Sequence, residues 1–383
     1  MANEHNKIKK QNWIARFNLI GTAKVNDYTF KIDEQSQKSS WIYNSMNLGV
    51  DCGKDYGNAY CSLMGGFSPE RENFVYANSK DDFATSIKVA WEDRENDAVL
   101  EELHDMNFIK VGLEKTADGK TFTKRFLSPY DAIKYINKHL EDGMAVSVSG
   151  NIKYSMYNDA VQMNKEITSI YLYDGDTDKF HATFTQTVLV DKDSASLKNV
   201  DKATGIMPVD VVVLDYLKEL NGNEIRGQFP YHTQFDYMFD MTKPELAKKI
   251  YDKLFKVKKG YTQITFEGDF VSGGSTVKPT EDELTDDIKG LIELGIYTLD
   301  EALEECSDNG SREFHMFLRK PIIRMVGDED NKSPVLQMFE EQYDIDDLDM
   351  SWAYVKADDD EEQAPFDTDD ETVDDDDLDW LNL

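Results

Sequence analysis

Residues 128–157 read SPYDAIKYINKHLEDGMAVSVSGNIKYSMY, and this stretch sets the order of the fold. Ser128 as N-cap, Pro129 at the first helical position and Asp131 in the first turn start a helix. Gly143 ends it, and a strand follows at once. Along that strand Val146, Val148, Ile152 and Tyr154 share one parity, so they point inward, while Lys153 and Tyr157 point out. Residues 242–273, TKPELAKKIYDKLFKVKKGYTQITFEGDFVSG, repeat the order. Here a capping box of Thr242 and Glu245 around Pro244 starts a helix with Leu246, Ile250 and Leu254 on one stripe. Gly260 then leads into a strand carrying Gly268-Asp269, as the first carries Gly150-Asn151. A helix, a glycine and a glycine-bearing strand occurring twice indicate a duplicated module.

Working outward, each helix is preceded by strands. WIARFNLIGTAKV, DYTFKID, WIYNSMNLGVDCG, NAYCSLMGGF, TSIKVAW and FIKVGL precede the first; FHATFTQTVLV, MPVDVVVLDYL and EIRGQFPYHTQFDYMF precede the second. AVQMNKEITSIYLY closes the first module and EFHMFLRKPIIRM the second. Five main strands with one helix between the third and fourth is the order of an OB-fold, whose strands 2 and 3 and loops L12 and L45 bind oligonucleotides. The expected class is therefore mainly β, two tandem OB-fold barrels with added helices. The modules span residues 1–178 and 179–330. The second carries a helical insertion at 276–311, read from capping boxes of Thr280 with Glu283 and Thr298 with Glu301. A short packing segment at 331–356, read as a short helix and an extended piece, precedes a disordered acidic tail at 357–383.

The 383 residues carry a formal charge of −33, unevenly placed. Residues 1–280 hold 35 basic and 40 acidic side chains, whereas 281–383 hold 7 and 35. Repulsion between acidic surface and phosphate therefore applies mainly to the last quarter. Residues 358–379, DDDEEQAPFDTDDETVDDDDLD, repel themselves and bury little, yet an apolar group of Trp380, Leu381 and Leu383 follows. No apolar run reaches membrane-spanning length and no secretory h-region opens the chain, so a cytoplasmic protein without membrane contact is expected. Cys52, Cys61 and Cys306 read as reduced packing residues.

The runs WIYNSMNLGVDCG (41–53), NAYCSLMGGF (58–67) and GMAVSVSGNIKYSMYNDAVQMNKEITSIYLY (143–173) resemble the single-stranded DNA-binding proteins of bacteriophages that infect Gram-positive bacteria. The last run is similar in layout to the closing strands of bacterial single-stranded DNA-binding proteins, where a G-x-V-x-V-x-G strand leads through a hairpin to a final strand. The resemblance implies OB-folds, sequence-tolerant binding of ssDNA in phage DNA replication or recombination, and an acidic tail whose apolar end recruits replication proteins such as a polymerase, helicase or primase. This chain departs from the bacterial pattern in having two modules, no Gly/Gln-rich linker and no Pro-Phe tip, so the bacterial homotetramer and tail partners do not carry over.

Sequence-independent ssDNA binding needs cations for the backbone and flat aromatic faces for bases. In the first module, if Ile42, Met46, Leu48 and Val50 fill the barrel, Trp41 and Tyr43 point outward as a stacking platform; the alternative is that one of them caps the barrel as a core residue. Lys31, Lys124, Arg125 and Lys153, with Tyr157, are the candidate contacts around it. In the second module the aromatics Phe229, Tyr231, Phe235, Tyr237 and Phe239 share one parity, which fits either a stacking face or a core face. Phe229 and Tyr231 are its candidate stackers. Lys256, Lys258 and Lys259, with Arg319, Lys320 and Arg324, form the candidate phosphate track. Trp380, Leu381 and Leu383 are the candidate partner-binding tip.

No P-loop, H-E-x-x-H, G-x-S-x-G or paired C-x-x-C occurs, and the six histidines are dispersed. No catalytic residue, metal or cofactor is therefore expected. The competing reading is an acidic DNA mimic or interaction module that inhibits a nucleic-acid enzyme. A mimic spreads acidity over its folded body, and the nearly neutral first 280 residues favour the binder.

Overall fold

In the computed structural model the described residues are 8–354, apart from 159, 274–275, 278–283, 295–296, 300–301, 304–307, 310–312 and 328–331. The strands of the first half are β1 (Ala15–Lys24), β2 (Phe30–Gln35), β3 (Ile42–Asp51), β4 (Asn58–Phe67), β5 (Phe74–Asn78), β6 (Ser86–Ala90), β7 (Ile109–Lys115), β8 (Thr121–Phe126), β9 (Ala145–Tyr157) and β10 (Ala160–Leu172), with helix α1 (Pro129–His139) between β8 and β9. The second half holds β11 (His181–Val190), β12 (Ile206–Leu220), β13 (Asn223–Met238), α2 (Pro244–Leu254), β14 (Tyr261–Gly273), α3 (Asp286–Glu293), β15 (Glu313–Pro321), β16 (Ile323–Val326), β17 (Ser333–Leu336) and β18 (Met338–Tyr343).

The pairing closes two barrels. In the first, β1 pairs β3, β3 pairs β4, β4 meets β10 in parallel at Ser62 and Glu166, β10 pairs β9, and β9 returns to β1. In the second, β11 pairs β12, β12 pairs β13, β13 meets β15 in parallel at Asp236 and Phe317, β15 pairs β14, and β14 returns to β11. A Greek-key barrel with its helix between the third and fourth strands is the OB-fold, present twice.

An antiparallel pairing of β1 with β11 joins the barrels into one sheet, with Phe17 opposite Phe184. These two residues occupy equivalent places. Phe17 lies across β1–β9 from Gly150, and Phe184 across β11–β14 from Gly268. A Cβ on Gly150 would stand 1.9 Å from the Glu166 carbonyl oxygen and 2.8 Å from the Phe17 ring. A Cβ on Gly268 would stand 2.2 Å from the Phe184 ring and 2.3 Å from the Phe317 carbonyl oxygen. The glycines thus sit where strand coiling brings a ring and a neighbouring backbone onto one point. The two copies solve the same packing problem in the same way.

Ser128 caps α1 as expected, accepting from the Tyr130 N–H, and α1 buries Tyr130, Ala132, Ile133 and Ile136. The expected capping box on α2 is absent. Lys243 occupies the N-cap with no side-chain hydrogen bond, and the Thr242 hydroxyl donates to Asp240 instead. Nor is the α2 stripe fully buried: Leu254 is, but Leu246 is 48% exposed. Residues 333–354 differ from their expected helix-then-extension order, forming β17 and β18 followed by the single helical turns Ile345–Leu348 and Ser351–Tyr354. Between β4 and α1 lies an insertion whose β5–β6 hairpin has its own small core of Ala77, Val89, Leu103, Phe108 and Leu127. The partner strands β5 and β8 were not among the expected elements. Of the helical insertion at 276–311, α3 is described, while Thr280 and Glu283 lie outside the described residues, as does the tail at 357–383.

Candidate nucleic-acid interface

The outer face of β3–β4 is fixed by what the inner face must bury. Met46, Leu48 and Val50 on β3, with Ala59, Cys61 and Leu63 on β4, are at most 3% exposed and fill the first barrel. Strand alternation then turns Tyr43, Ser45, Asn47, Tyr60, Ser62 and Met64 to the other side. At one end Tyr60 is 57% exposed. Its ring lies across Gly49, where a Cβ would come within 3.2 Å of it. At the other end Trp41 stacks on Tyr43, with ring centroids 4.8 Å apart and planes at 13°. A Cβ on Gly66 would stand 2.8 Å from the Trp41 ring, so that glycine makes room for it. The six residue steps from Tyr43 to Gly49 span about 20 Å at ~3.3 Å per step.

Of the residues expected here, Trp41 is half-buried and Tyr43 is 9% exposed, lying beneath the Trp41 ring rather than open beside it. Lys31 sits opposite Ser45, on the same outer face. Lys24, which the sequence reading passed over, is opposite Gly49 and pairs with Asp51 at 3.3 Å. Tyr60 was also missed. The alternation of NAYCSLMGGF carries the signal, because burying Ala59, Cys61 and Leu63 leaves Tyr60 no other side.

Lys124 and Arg125 lie on β8, away from β3–β4. The Lys124 ammonium rests 5.0 Å from the Phe126 ring centroid, and Arg125 lies 4.8 Å from that of Phe108 and 3.8 Å from Asp105. Lys153 is exposed on β9, and Tyr157 is half-buried at its end.

The second barrel presents a different surface. Phe229 and Tyr231 are 0% and 1% exposed, and Phe235, Tyr237 and Phe239 are buried with them. Phe229 packs on Tyr231, and Tyr231 on Tyr154 of the first barrel. The aromatic run is therefore core, and neither candidate stacker offers a face to a base in this conformation. On the opposite side of the hairpin, Val212 and Leu214 are also buried, 4% and 1% exposed. Residues 345–354 lie along this side, lining a cavity of about 400 Å³ with Pro230, His232 and Tyr261. A neighbouring cavity of about 500 Å³ is lined by Asp191, Asp193, Asp210 and His232. The side equivalent to the Trp41–Tyr60 face is thus covered by the chain itself and edged with carboxylates.

The expected phosphate track is engaged with the protein. Lys256 pairs with Asp252, Lys259 with Glu341, Arg319 with Asp269 and Lys320 with Glu267. Arg324 lies 4.7 Å over the Phe339 ring. Lys258 is exposed and has no ion pair among the described residues.

Burial pushes the Cys52 and Cys61 thiols up to about 12, so they are poor nucleophiles. Both are free and buried. Lys165, on β10, is 7% exposed with its ammonium 4.5 Å from the Phe270 ring centroid and 5.2 Å from that of Phe314. Burial brings its pKa down to about 8. Among the described residues no group of three or more His, Cys, Asp or Glu is placed to hold a metal ion, and no helix is long and apolar enough to cross a membrane. Trp380, Leu381 and Leu383 lie outside the described residues.

Two crystal structures of the single-stranded DNA-binding protein from Thermus aquaticus, the wild type and a deletion mutant, are similar to this chain with a TM-score of 0.31 and 11% identity, over 68% of this chain and 87% of that one. No curated protein matches. The YorF family model matches residues 83–289, from the β5–β6 insertion of the first barrel through β11–β14 of the second and into α3, short of the closing strand β15. With just over half of its length matched, the chain belongs to the YorF family.

Proposed function

We propose that this chain binds single-stranded DNA without sequence preference and without catalysis, using the outer face of β3–β4. The observation that carries the reading is the pair of aromatic stations on that face, Tyr60 at one end and the Trp41–Tyr43 stack at the other. Bases stack on such rings at about 1–3 kcal/mol each, whatever their identity. Between them Asn47 is half-buried and Ser45 and Ser62 are buried, 3% and 7% exposed, so the Tyr60 and Trp41 rings are the parts of this face that meet bases. Lys24 and Lys31 flank the face and supply the phosphate contacts. The setting we propose is coating and protection of ssDNA during phage DNA replication and recombination in the cytoplasm of the infected host. There Trp380, Leu381 and Leu383 recruit a replication protein such as a polymerase, helicase or primase.

The test is a fluorescence-anisotropy titration of labelled oligo(dT) with the full chain at two salt concentrations, with duplex DNA as control. The expected result is preference for oligo(dT) over duplex, with log affinity falling by about 0.7 per phosphate contact for each tenfold rise in salt. Equal affinity for duplex, or no binding, sinks the reading and leaves the inhibitory interaction module in its place.

A further inference from the structure

The hairpin β7–β8 is a wing on the first barrel and takes no part in its closure. β7 lies in parallel against β10, with Lys110–Gly112 opposite Ser169–Tyr171, which ties the wing to the barrel, while β8 pairs with β7 alone. The register slips between Val111 and Glu114, where Gly112 and Leu113 stand against the single residue Thr123. Such a bulge twists the strand pair and re-aims its side chains. In β8 every residue from Thr121 to Arg125 is exposed, and only Phe126 is buried. Alternation puts Phe122, Lys124 and Phe126 on one face. Phe122 is 47% exposed. The Lys124 ammonium lies 5.0 Å from the Phe126 ring centroid and 5.1 Å from that of Tyr135 on α1, with no carboxylate partner among the described residues. The other cations of the wing are paired: Lys110 and Arg125 with Asp105, Lys115 with Asp174 and Lys120 with Asp118. Glu114, opposite Phe122, accepts from the Tyr135 hydroxyl and lies 3.5 Å from His139, towards α1.

We propose that Phe122 and Lys124 form a second ssDNA station, Phe122 stacking a base and Lys124 holding a neighbouring phosphate. An exposed ring beside an unpaired cation supplies both contacts that a single strand needs. The inference rests on the β3–β4 reading and extends it: the strand leaves that face at its Trp41 end and reaches the wing past α1. Phe67, next to Gly66 at the Trp41 end, meets Tyr130 at the start of α1 with ring centroids 5.4 Å apart, and Tyr135 and Lys124 lie beyond, so the stations stand roughly 20 Å apart. Pairing of the open β8 edge with a second copy of the chain is the competing use of this surface. Lys124 and Arg125 in the middle of the edge oppose it, because cations on an edge strand keep other strands off. The local charge agrees: residues 109–126 hold five basic side chains against two acidic ones in a chain of −33, which suits a polyanion.

The experiment titrates the full chain into labelled oligo(dT) of about six and about thirty nucleotides, one within and one beyond the site of a single OB barrel. F122A/K124E should weaken binding of the longer oligonucleotide at least fivefold and lower its salt slope by about 0.7, the share of one phosphate contact, while the shorter stays within twofold. F122Y, which keeps the ring, should bind both as the unsubstituted chain does. Y60A should weaken both lengths, and K202E, the same charge change on an exposed lysine of the second barrel, should weaken neither. Phe122 and Lys124 are both exposed, so the urea midpoint should hold. The proposal falls if F122A/K124E weakens the two lengths equally or weakens neither. It falls too if sedimentation shows the unsubstituted chain to be a dimer that F122A/K124E splits, which would make β8 a contact between copies. If the unsubstituted chain binds neither oligonucleotide, the β3–β4 reading fails and this inference with it; binding with no length-dependent effect of F122A/K124E removes the wing alone.

Discussion

The two barrels share strand order, the Phe-opposite-Gly contact and the helix position, yet turn their aromatic residues in opposite directions. The first keeps Tyr60 and Trp41 on the outer face of its second and third OB strands. The second, with more aromatics on the corresponding hairpin, buries Phe229, Tyr231, Phe235 and Tyr237. The reason is what each hairpin must cover. On the first barrel's hairpin Met46, Leu48, Cys61 and Leu63 fill the inner side without an aromatic residue, which leaves Tyr60 and Trp41 on the outer side. In the second the long β12–β13 hairpin extends to Tyr154 of the first barrel, and Phe229 and Tyr231 pack across that span. Equivalent topology therefore does not confer equivalent surface; residue size at alternating positions decides which side is left for a ligand.

The difference is broken most directly by truncating an inward ring. Phe229→Ala removes a fully buried side chain packed against Tyr231 and Tyr354. It should cost about 3–5 kcal/mol, read as a lowered urea midpoint at unchanged slope. If Phe229 were a base-stacking residue, stability would hold and only DNA affinity would fall.

What the barrels share can be tested at their glycines. Gly150→Ala and Gly268→Ala each place a methyl group against a ring and a carbonyl oxygen that belong to two different strands. Overpacking of this kind should cost about 3 kcal/mol at either site, with similar urea midpoints for the two variants. A large loss at one site and none at the other would break the equivalence on which the duplicated-module reading rests.

Much of this architecture was legible from alternation and from the paired order of helix, glycine and strand. Val146, Val148, Ile152 and Tyr154 all face inward, as their parity requires. Ser128 and Pro129 mark the start of α1 because the hydroxyl, the fixed proline φ and the first-turn carboxylate all act within one turn. Thr242 and Glu245 carry the same local pattern, but Asp240 takes the Thr242 hydroxyl, so α2 starts without the box. Parity could not say whether the Phe229–Tyr237 face was core or platform, because both are flat and apolar. That depended on Tyr154, about 75 residues away in the chain, and on the placement of residues 345–354. The phosphate track failed to appear as an open surface for a similar reason. Glu267 and Asp269 reach Lys320 and Arg319 across β14–β15, a pairing that local charge counts do not contain.

The joint between the barrels offers a pH test. Lys165 leaves the first barrel to lie over Phe270 and Phe314 of the second, and its pKa is lowered from 10.5 to about 8 by burial. Between about pH 8 and 10.5 the folded chain holds fewer protons here than the unfolded chain, so this group makes stability rise with pH across that window. Below pH 8 both forms are protonated and the full cost of burying the ammonium applies, about 3 kcal/mol from the linkage, partly offset by the contacts with the two rings. Lys165→Met should therefore stabilise the chain by about 2 kcal/mol at pH 7, with the gain disappearing above pH 10.5. A gain that does not change with pH would mean that packing, not charge, is what the variant alters.

The smallest effect is the one closest to function. Tyr60→Ala removes a ring that is 57% exposed, so stability should change by no more than about 0.5 kcal/mol. Affinity for oligo(dT) should fall by about 1–2 kcal/mol, roughly five- to thirtyfold, as expected for the loss of one stacked base. Tyr60→Phe should restore most of it, because a base needs the ring and not the hydroxyl. The matching test in the second barrel is His232→Ala, on the side edged by Asp191, Asp193 and Asp210, and it should leave DNA affinity unchanged. If Tyr60→Ala and His232→Ala weakened binding equally, the strand would run over both barrels, and residues 345–354 would have to leave the β12–β13 hairpin when DNA binds. If only Tyr60→Ala acts, one barrel binds and the other supports it, as the opposite facing of their aromatic residues requires.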